Sequence, residues 1–108
     1  MKHLFIWILL TIFAFSASAQ NGVATIQTSG QCLECKANIE KAVTAVKGVR
    51  MATFDMETKQ VKVFFNDKKT NVDAIRKAIS EKGYDADQLK ANPEGIEKLS
   101  PCCRPGGH

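Results

Sequence analysis

Five side chains in this 108-residue sequence could do soft-ligand chemistry together: Cys32, Cys35, Cys102, Cys103 and the terminal His108. Cys32 and Cys35 are separated by two residues at the start of a helical pattern, a spacing that lets two sulfurs face one point. A helix N-terminus carries unpaired N–H groups and partial positive charge, which favour thiolate over thiol, and Lys36 beside Cys35 adds positive charge. Two such thiolates prefer a soft ion: Cu(I) first, Hg(II) where present, and Zn(II) less, because its closed sites want four ligands. An ion held by two protein ligands stays coordinatively open, so another protein's thiolate can enter before the first ones leave. The expected function is therefore binding and handover or sequestration of a soft metal ion, with no enzymatic turnover.

The tail adds to this set. Cys102, Cys103 and His108 are accessory candidates, spaced by Arg104-Pro105-Gly106-Gly107, able to fold over the first pair or to take a second ion. Neither cysteine pair would staple a long loop by itself, and a bond between adjacent cysteines is strained by the usual Cα separation; a bridge between the two pairs stays open as an alternative. Glu34, between the first two cysteines, offers an oxygen. Met51 and Met56 fall in a strand pattern and read as packing residues.

These residues must be positioned by a small scaffold. Val23 to Thr28 is β-branched and alternating, with Ala24 and Ile26 on one face. Cys35, Ile39, Ala42, Val43 and Val46 then recur at helical steps, closed by Gly48 as a left-handed cap. Val49 to Met56 and Gln60 to Phe65 alternate on either side of the turn Glu57-Thr58-Lys59, which predicts a hairpin with Ala52, Phe54, Met56, Val61, Val63 and Phe65 inward. Thr70 and Asp73 resemble a capping box opening a second helix with the stripe Val72, Ile75, Ala78 and Ile79. Gly83 ends it, and Tyr84 to Leu89 is expected as a short final strand. The order β-α-β-β-α-β predicts an α+β, ferredoxin-like sandwich, a four-stranded antiparallel sheet with two helices on one face. Beyond it, Asn92-Pro93 predicts a turn, Ile96 and Leu99 mark one or two helical turns, and PCCRPGGH is expected to be flexible.

Residues 1–19 read as a removable signal peptide: Lys2 and His3, then the apolar run Leu4 to Phe15, then Ala17-Ser18-Ala19. That run is shorter than the roughly 20 apolar residues of a spanning helix. Export is expected, to a periplasm in a Gram-negative bacterium or otherwise outside the cell. The expected divisions are 1–19 signal, 20–90 metal-binding domain and 91–108 a C-terminal extension. Fifteen Lys and Arg against eleven Asp and Glu give a net charge of +4, interspersed along the chain. This argues against nucleic acid as a partner.

A CxxC alone is shared by redox enzymes and zinc sites. Its placement after the first strand, at the head of the first helix of this topology, resembles the heavy-metal-associated domain family, which includes small copper chaperones, the N-terminal modules of metal-pumping P-type ATPases and periplasmic mercury-scavenging proteins. Cys32-Leu33-Glu34-Cys35-Lys36, the Ile39/Val43/Val46 stripe, Gly48-Val49, Val61-Lys62-Val63 and Gly83-Tyr84 carry the resemblance. It implies that Cys32 and Cys35 are the metal ligands, that Tyr84 lies in a loop approaching them, and that a membrane metal-transporting ATPase or efflux component is the partner of a monomer, with a metal-bridged dimer as the alternative assembly. The family usually has a Met two residues before the first Cys. Here that residue is Gly30, which predicts a looser loop. The absence of Asp before Cys32 favours a soft ion over zinc. A thiol-disulfide oxidoreductase is the competing class, and against it no Trp or Pro flanks the CxxC of this chain.

Overall fold

A computed structural model describes residues 21–105. The proposed signal segment 1–19 and His108 lie outside them. The elements are β1 (Asn21–Gln27), α1 (Leu33–Thr44), β2 (Val49–Asp55), β3 (Gln60–Asn66), α2 (Val72–Lys82), α3 (Pro93–Glu97) and a 3-10 turn at Pro101–Cys103.

The sheet is antiparallel in the order β1-β3-β2. Ile26 and Phe54 both stand opposite Val61, and Ala24 and Ala52 both stand opposite Val63. Because side chains alternate across a strand, this register gathers the inward set on one face. Ile26, Phe54, Val61, Val63 and Phe65 are buried together with Ile39 and Val43 of α1 and Ile75 and Ile79 of α2. The two helices thus cover one face of the sheet. On the other face Val23 and Met51 flank Phe64 and are more than half exposed.

Turns follow from local chemistry. Lys59 adopts φ 60° in the β2–β3 turn and closes it with its N–H on the Asp55 carbonyl at 2.8 Å. The cap of α2 is Asn71, not Thr70: its Oδ1 accepts from the Ala74 N–H at 2.8 Å, satisfying a donor the helix leaves unpaired. Gly83, with φ 108°, ends α2 in the left-handed conformation. Helix α1 stops earlier than its apolar stripe predicts, at Thr44, and two tight turns through Val46 lead to Gly48 at φ 103°.

The expected fourth strand is absent among the described residues. In its place are single bridges, Thr28 to Ala86 and Ala86 to Leu89. Asp87 is the cause: at φ 55° it turns the chain back, and its carboxylate accepts the Gln27 N–H at 2.9 Å, where a strand would offer a backbone carbonyl.

The tail departs from expectation too. Asn92 caps α3 through Glu94 N–H at 2.9 Å, and a Cβ added to Gly95 would lie 2.7 Å from the Gly83 nitrogen, so the α3 backbone rests directly on the end of α2. Leu99 and Cys103 then enter the core. The segment expected to be flexible is packed as far as Cys103. No helix among the described residues is long and apolar enough to cross a membrane.

Candidate metal centre

Cys32 is the N-cap of α1, in extended conformation with φ −143°, and its carbonyl accepts the Lys36 N–H at 3.0 Å. Cys35, one turn on, is fully buried, whereas Cys32 is half-buried. Their sulfurs are 3.1 Å apart. The loop leading to them is held at each step. Ser29 Oγ accepts the Asp85 N–H at 2.9 Å, and the Lys59 ammonium donates to the Gly30 carbonyl at 3.0 Å.

Gly30 corrects the expectation of a loose loop. It is buried, and a Cβ there would come within 2.8 Å of Ile39 Cδ1 and 2.9 Å of Phe54 Cζ. The space under the loop is therefore filled by Phe54 and Ile39, which require the small residue above them.

The structure brings the second cysteine pair onto the first. Cys102 Sγ and Cys103 Sγ each lie 3.3 Å from Cys32 Sγ and 3.9 Å from one another. All four cysteines are free thiols, and the bridge between the pairs is not formed. Glu34 faces the same cluster: one carboxylate oxygen accepts from the Ser100 hydroxyl at 3.0 Å, the other from the Cys102 and Cys103 thiols at 3.4 and 3.5 Å. One sulfur each from Cys32, Cys102 and Cys103 and a Glu34 oxygen fall within 4.8 Å of one another.

Electrostatics distinguish the thiols. Cys32 is lowered to about 7, chiefly by its hydrogen bond with the Cys35 thiol, against burial. The Cys35 amide, which faces the sulfur without closing a full cap hydrogen bond, and the two tail thiols also lower it. Cys102 is raised to about 11 by its contacts with Cys32 and Glu34, and Cys103 is raised mainly by burial. Cys32 is thus an easily ionised sulfur beside two more reluctant ones, Cys102 and Cys103. The Ser100 hydroxyl, then the two tail thiols, hold the Glu34 carboxyl below its usual range. Lys36 does not supply the charge expected of it. Its ammonium pairs with Glu40 at 2.6 Å and donates to the Phe54 carbonyl at 3.0 Å.

Tyr84 is fully buried beneath the cluster, where it accepts from Asn38 Nδ2 at 3.1 Å. Burial raises its hydroxyl, which is within hydrogen-bonding reach of Cys103 and Cys35. Gln31 is a site residue that sequence reasoning missed: its amide donates to the Arg104 carbonyl at 2.7 Å and the Cys102 carbonyl at 3.4 Å. Nothing in the sequence pairs an exposed Gln with carbonyls more than seventy positions away. A groove of about 540 Å³ beside α2, lined in part by Asp73, Arg76 and Leu89, shares no residue with the thiols.

With a CxxC at the head of the first helix of this scaffold, the comparison with known families is decisive. Residues 31–85 match the heavy-metal-associated domain. The chain belongs to that family. It is 33% identical over 85 residues to the mercuric transport protein periplasmic component of Pseudomonas aeruginosa, covering 78% of this chain and 93% of that one. It is also 40% identical over 62 residues to the copper chaperone CopZ of Staphylococcus saprophyticus, covering 56% of this chain and 91% of that one. Among solved structures, oxidised MerP from Ralstonia metallidurans CH34 superimposes with TM-score 0.60 at 32% identity, over 62% of this chain and 94% of that one. The architecture of this heavy-metal-associated domain is thus the ferredoxin-like α+β fold of its relatives, with its last strand reduced to bridges.

Proposed function

We propose that this heavy-metal-associated domain binds a soft metal ion through Cys32 and Cys35 and passes it on by thiolate exchange. The observation that carries the reading is the pair itself: two free sulfurs 3.1 Å apart at a helix N-terminus, one of them ionising near pH 7. A sulfur already ionised at neutral pH captures a soft ion directly, with no thiol proton to be removed first. Relatives named as a mercuric transport protein and as a copper chaperone support a soft ion, Cu(I) or Hg(II), as cargo, and we take Cu(I) first as the commoner burden; Zn(II) would want a closed four-ligand site. Cys102 and Cys103 are accessory ligands in this reading, as is His108.

The receiver is a membrane metal-transporting ATPase or efflux component presenting its own thiolates. Residues 1–19 direct the protein out of the cytoplasm, and residues 20–90 form the working domain with 91–108 as its extension. The function requires no turnover of a substrate bond, so the oxidoreductase alternative predicts catalysis where this reading predicts none.

Anaerobic titration with Cu(I) against a competing chelator tests it, comparing wild type with Cys32→Ser/Cys35→Ser. Loss of tight 1:1 binding in the double variant is expected. Undiminished binding would end the proposal, and thiol oxidation or disulfide reduction that turns over after strict metal removal would favour the redox class instead.

A further inference from the structure

Resting on that reading, we infer that the C-terminal segment from Asn92 to Arg104 is a latch that offers the ion a second, overlapping site, the sulfur triangle Cys32, Cys102 and Cys103. Cys32 is the member common to both sites. The ion moves between them by breaking its bond to Cys35 and forming bonds to the tail sulfurs, whose two thiol protons leave as they bind, one to the freed Cys35 thiolate and one to solvent; the same exchange would hand the ion to another protein. The tail thus stands where a partner's thiolates would enter, and it makes the open pair a retention site until displaced.

Three observations converge on this. The first is spacing. Metal–sulfur bonds of about 2.3 Å place sulfurs about 3.8 Å apart in tetrahedral and about 4.0 Å apart in trigonal coordination, but about 4.6 Å apart across a linear ion. Of the triangle's edges, 3.9 Å already matches the higher coordination numbers and the two of 3.3 Å must open by about 0.5–0.7 Å, whereas the Cys32–Cys35 separation of 3.1 Å must open by about 1.5 Å for linear binding.

The second is that the latch is built. Gln31 holds the Cys102 and Arg104 carbonyls, and Glu34 holds the Ser100 hydroxyl and both tail thiols. Arg104 donates to the Leu99 and Glu97 carbonyls at 3.0 Å each, tying off the segment's own end. The third is anchorage: Leu99 and Cys103 are 5% and 2% exposed, so the segment is fixed in the core rather than laid over the surface. Gln31, Glu34 and Ser100 act as positioning residues for the tail sulfurs.

The two sites predict an asymmetry that a plain CxxC does not. Cys32 belongs to both sites, Cys35 to one. In anaerobic Cu(I) competition, Cys35→Ser should retain affinity within about tenfold of wild type, and Cys32→Ser should lose about a hundredfold or more. X-ray absorption of the 1:1 Cu(I) protein should count three sulfurs in wild type and two in Cys102→Ser/Cys103→Ser, which should also release Cu(I) to an added dithiol about tenfold faster. Gln31→Ala, which keeps all four sulfurs, should speed release while leaving circular dichroism of the apoprotein unchanged, so a slack latch is separable from a lost fold. Two sulfurs in wild type, or equal losses for Cys35→Ser and Cys32→Ser, would overturn the latch and leave the CxxC reading standing. Wild-type affinity in Cys32→Ser/Cys35→Ser would instead bring down the CxxC reading on which the latch rests.

Discussion

Cys32, Cys102 and Cys103 differ in what surrounds them, and that difference sets their order of ionisation. Cys32 loses its proton near pH 7 because the other three thiols and the Cys35 amide all stabilise its negative charge. Cys102 holds its proton to about 11 because Cys32 and Glu34 beside it are already acceptors. Thiolate absorbance of the apoprotein should therefore rise first near pH 7, with alkylation reporting Cys32 as the residue modified. The sign for stability follows by linkage. Cys32 is lowered from 9.0, so its contribution is present above that value and is lost as pH falls through about 7. Cys102 is raised from 9.0, so its contribution is complete below that value and is lost as pH rises through about 11. Denaturant titrations at pH 6, 8.5 and 11 should place the optimum between the extremes, and a maximum at pH 11 would refute the assignment. Gly30 belongs to this scale too. Gly30→Ala puts a Cβ against Ile39 and Phe54, an overpacking that should cost about 1–3 kcal/mol in the denaturant midpoint.

At the scale of elements, the polar link between α1 and β2 is made by the Glu40 carboxylate and the Lys36 ammonium, both on the Phe54 backbone. Glu40 accepts both the Lys36 ammonium at 2.6 Å and the Phe54 N–H at 2.8 Å. Burial works against its ionisation, yet those two donors hold its carboxyl below the usual range. Glu40→Ala leaves the Phe54 N–H without this acceptor and should lower stability by about 1–3 kcal/mol, with Glu40→Gln recovering part of the loss because an amide oxygen still accepts. This bond was not legible in the sequence, where Glu40 is one charge among many on a helix. The strands were legible, since Val61, Val63 and Phe65 alternate with Lys62 and Phe64 and a period of two has one physical meaning. Gly83 was legible as well, for a left-handed stop favours a residue without a side chain. Thr70 misled because Asn71, a better cap, stands next to it. The last strand failed for a reason invisible to alternation: Asp87 substitutes its side chain for a backbone acceptor. Of the candidate site, the CxxC was readable from spacing, and the tail's docking was not. Docking depends on Gly95 meeting Gly83 and on Gln31 meeting Arg104, contacts that exist only once the sheet and helices are in place.

For the whole molecule, the division of labour between core and latch makes a prediction about metal removal. The core of Ile26, Ile39, Val43, Phe54, Val61, Val63, Ile75 and Ile79 draws on β1–β3 and both long helices, and the proposed ligands Cys35 and Cys103 are buried with it. Hydrophobic burial of this kind stabilises the apoprotein by itself, unlike small domains whose folding free energy is the metal's. Stripping metal with a chelator should therefore leave a cooperative thermal transition. The latch puts only Leu99 and Cys103 into that core and otherwise rests on the end of α2 through Gly95 and on a few hydrogen bonds to α2, the loop and α1, so it should open at lower free energy than the sheet. Hydrogen exchange of the apoprotein should show amides of 99–104 exchanging ahead of those in β3, and Cu(I) should slow the former far more than the latter. Leu99→Ala sharpens the test. Its direct cost is that of a large-to-small core substitution, about 2–5 kcal/mol if felt by the global fold. If the latch is a separate unit, part of that cost is spent on local opening: protection at 100–104 collapses, the melting transition moves less than that cost implies, and Cu(I) is released faster with all four cysteines intact. Uniform loss of protection through β3 as well would make latch and core one cooperative body.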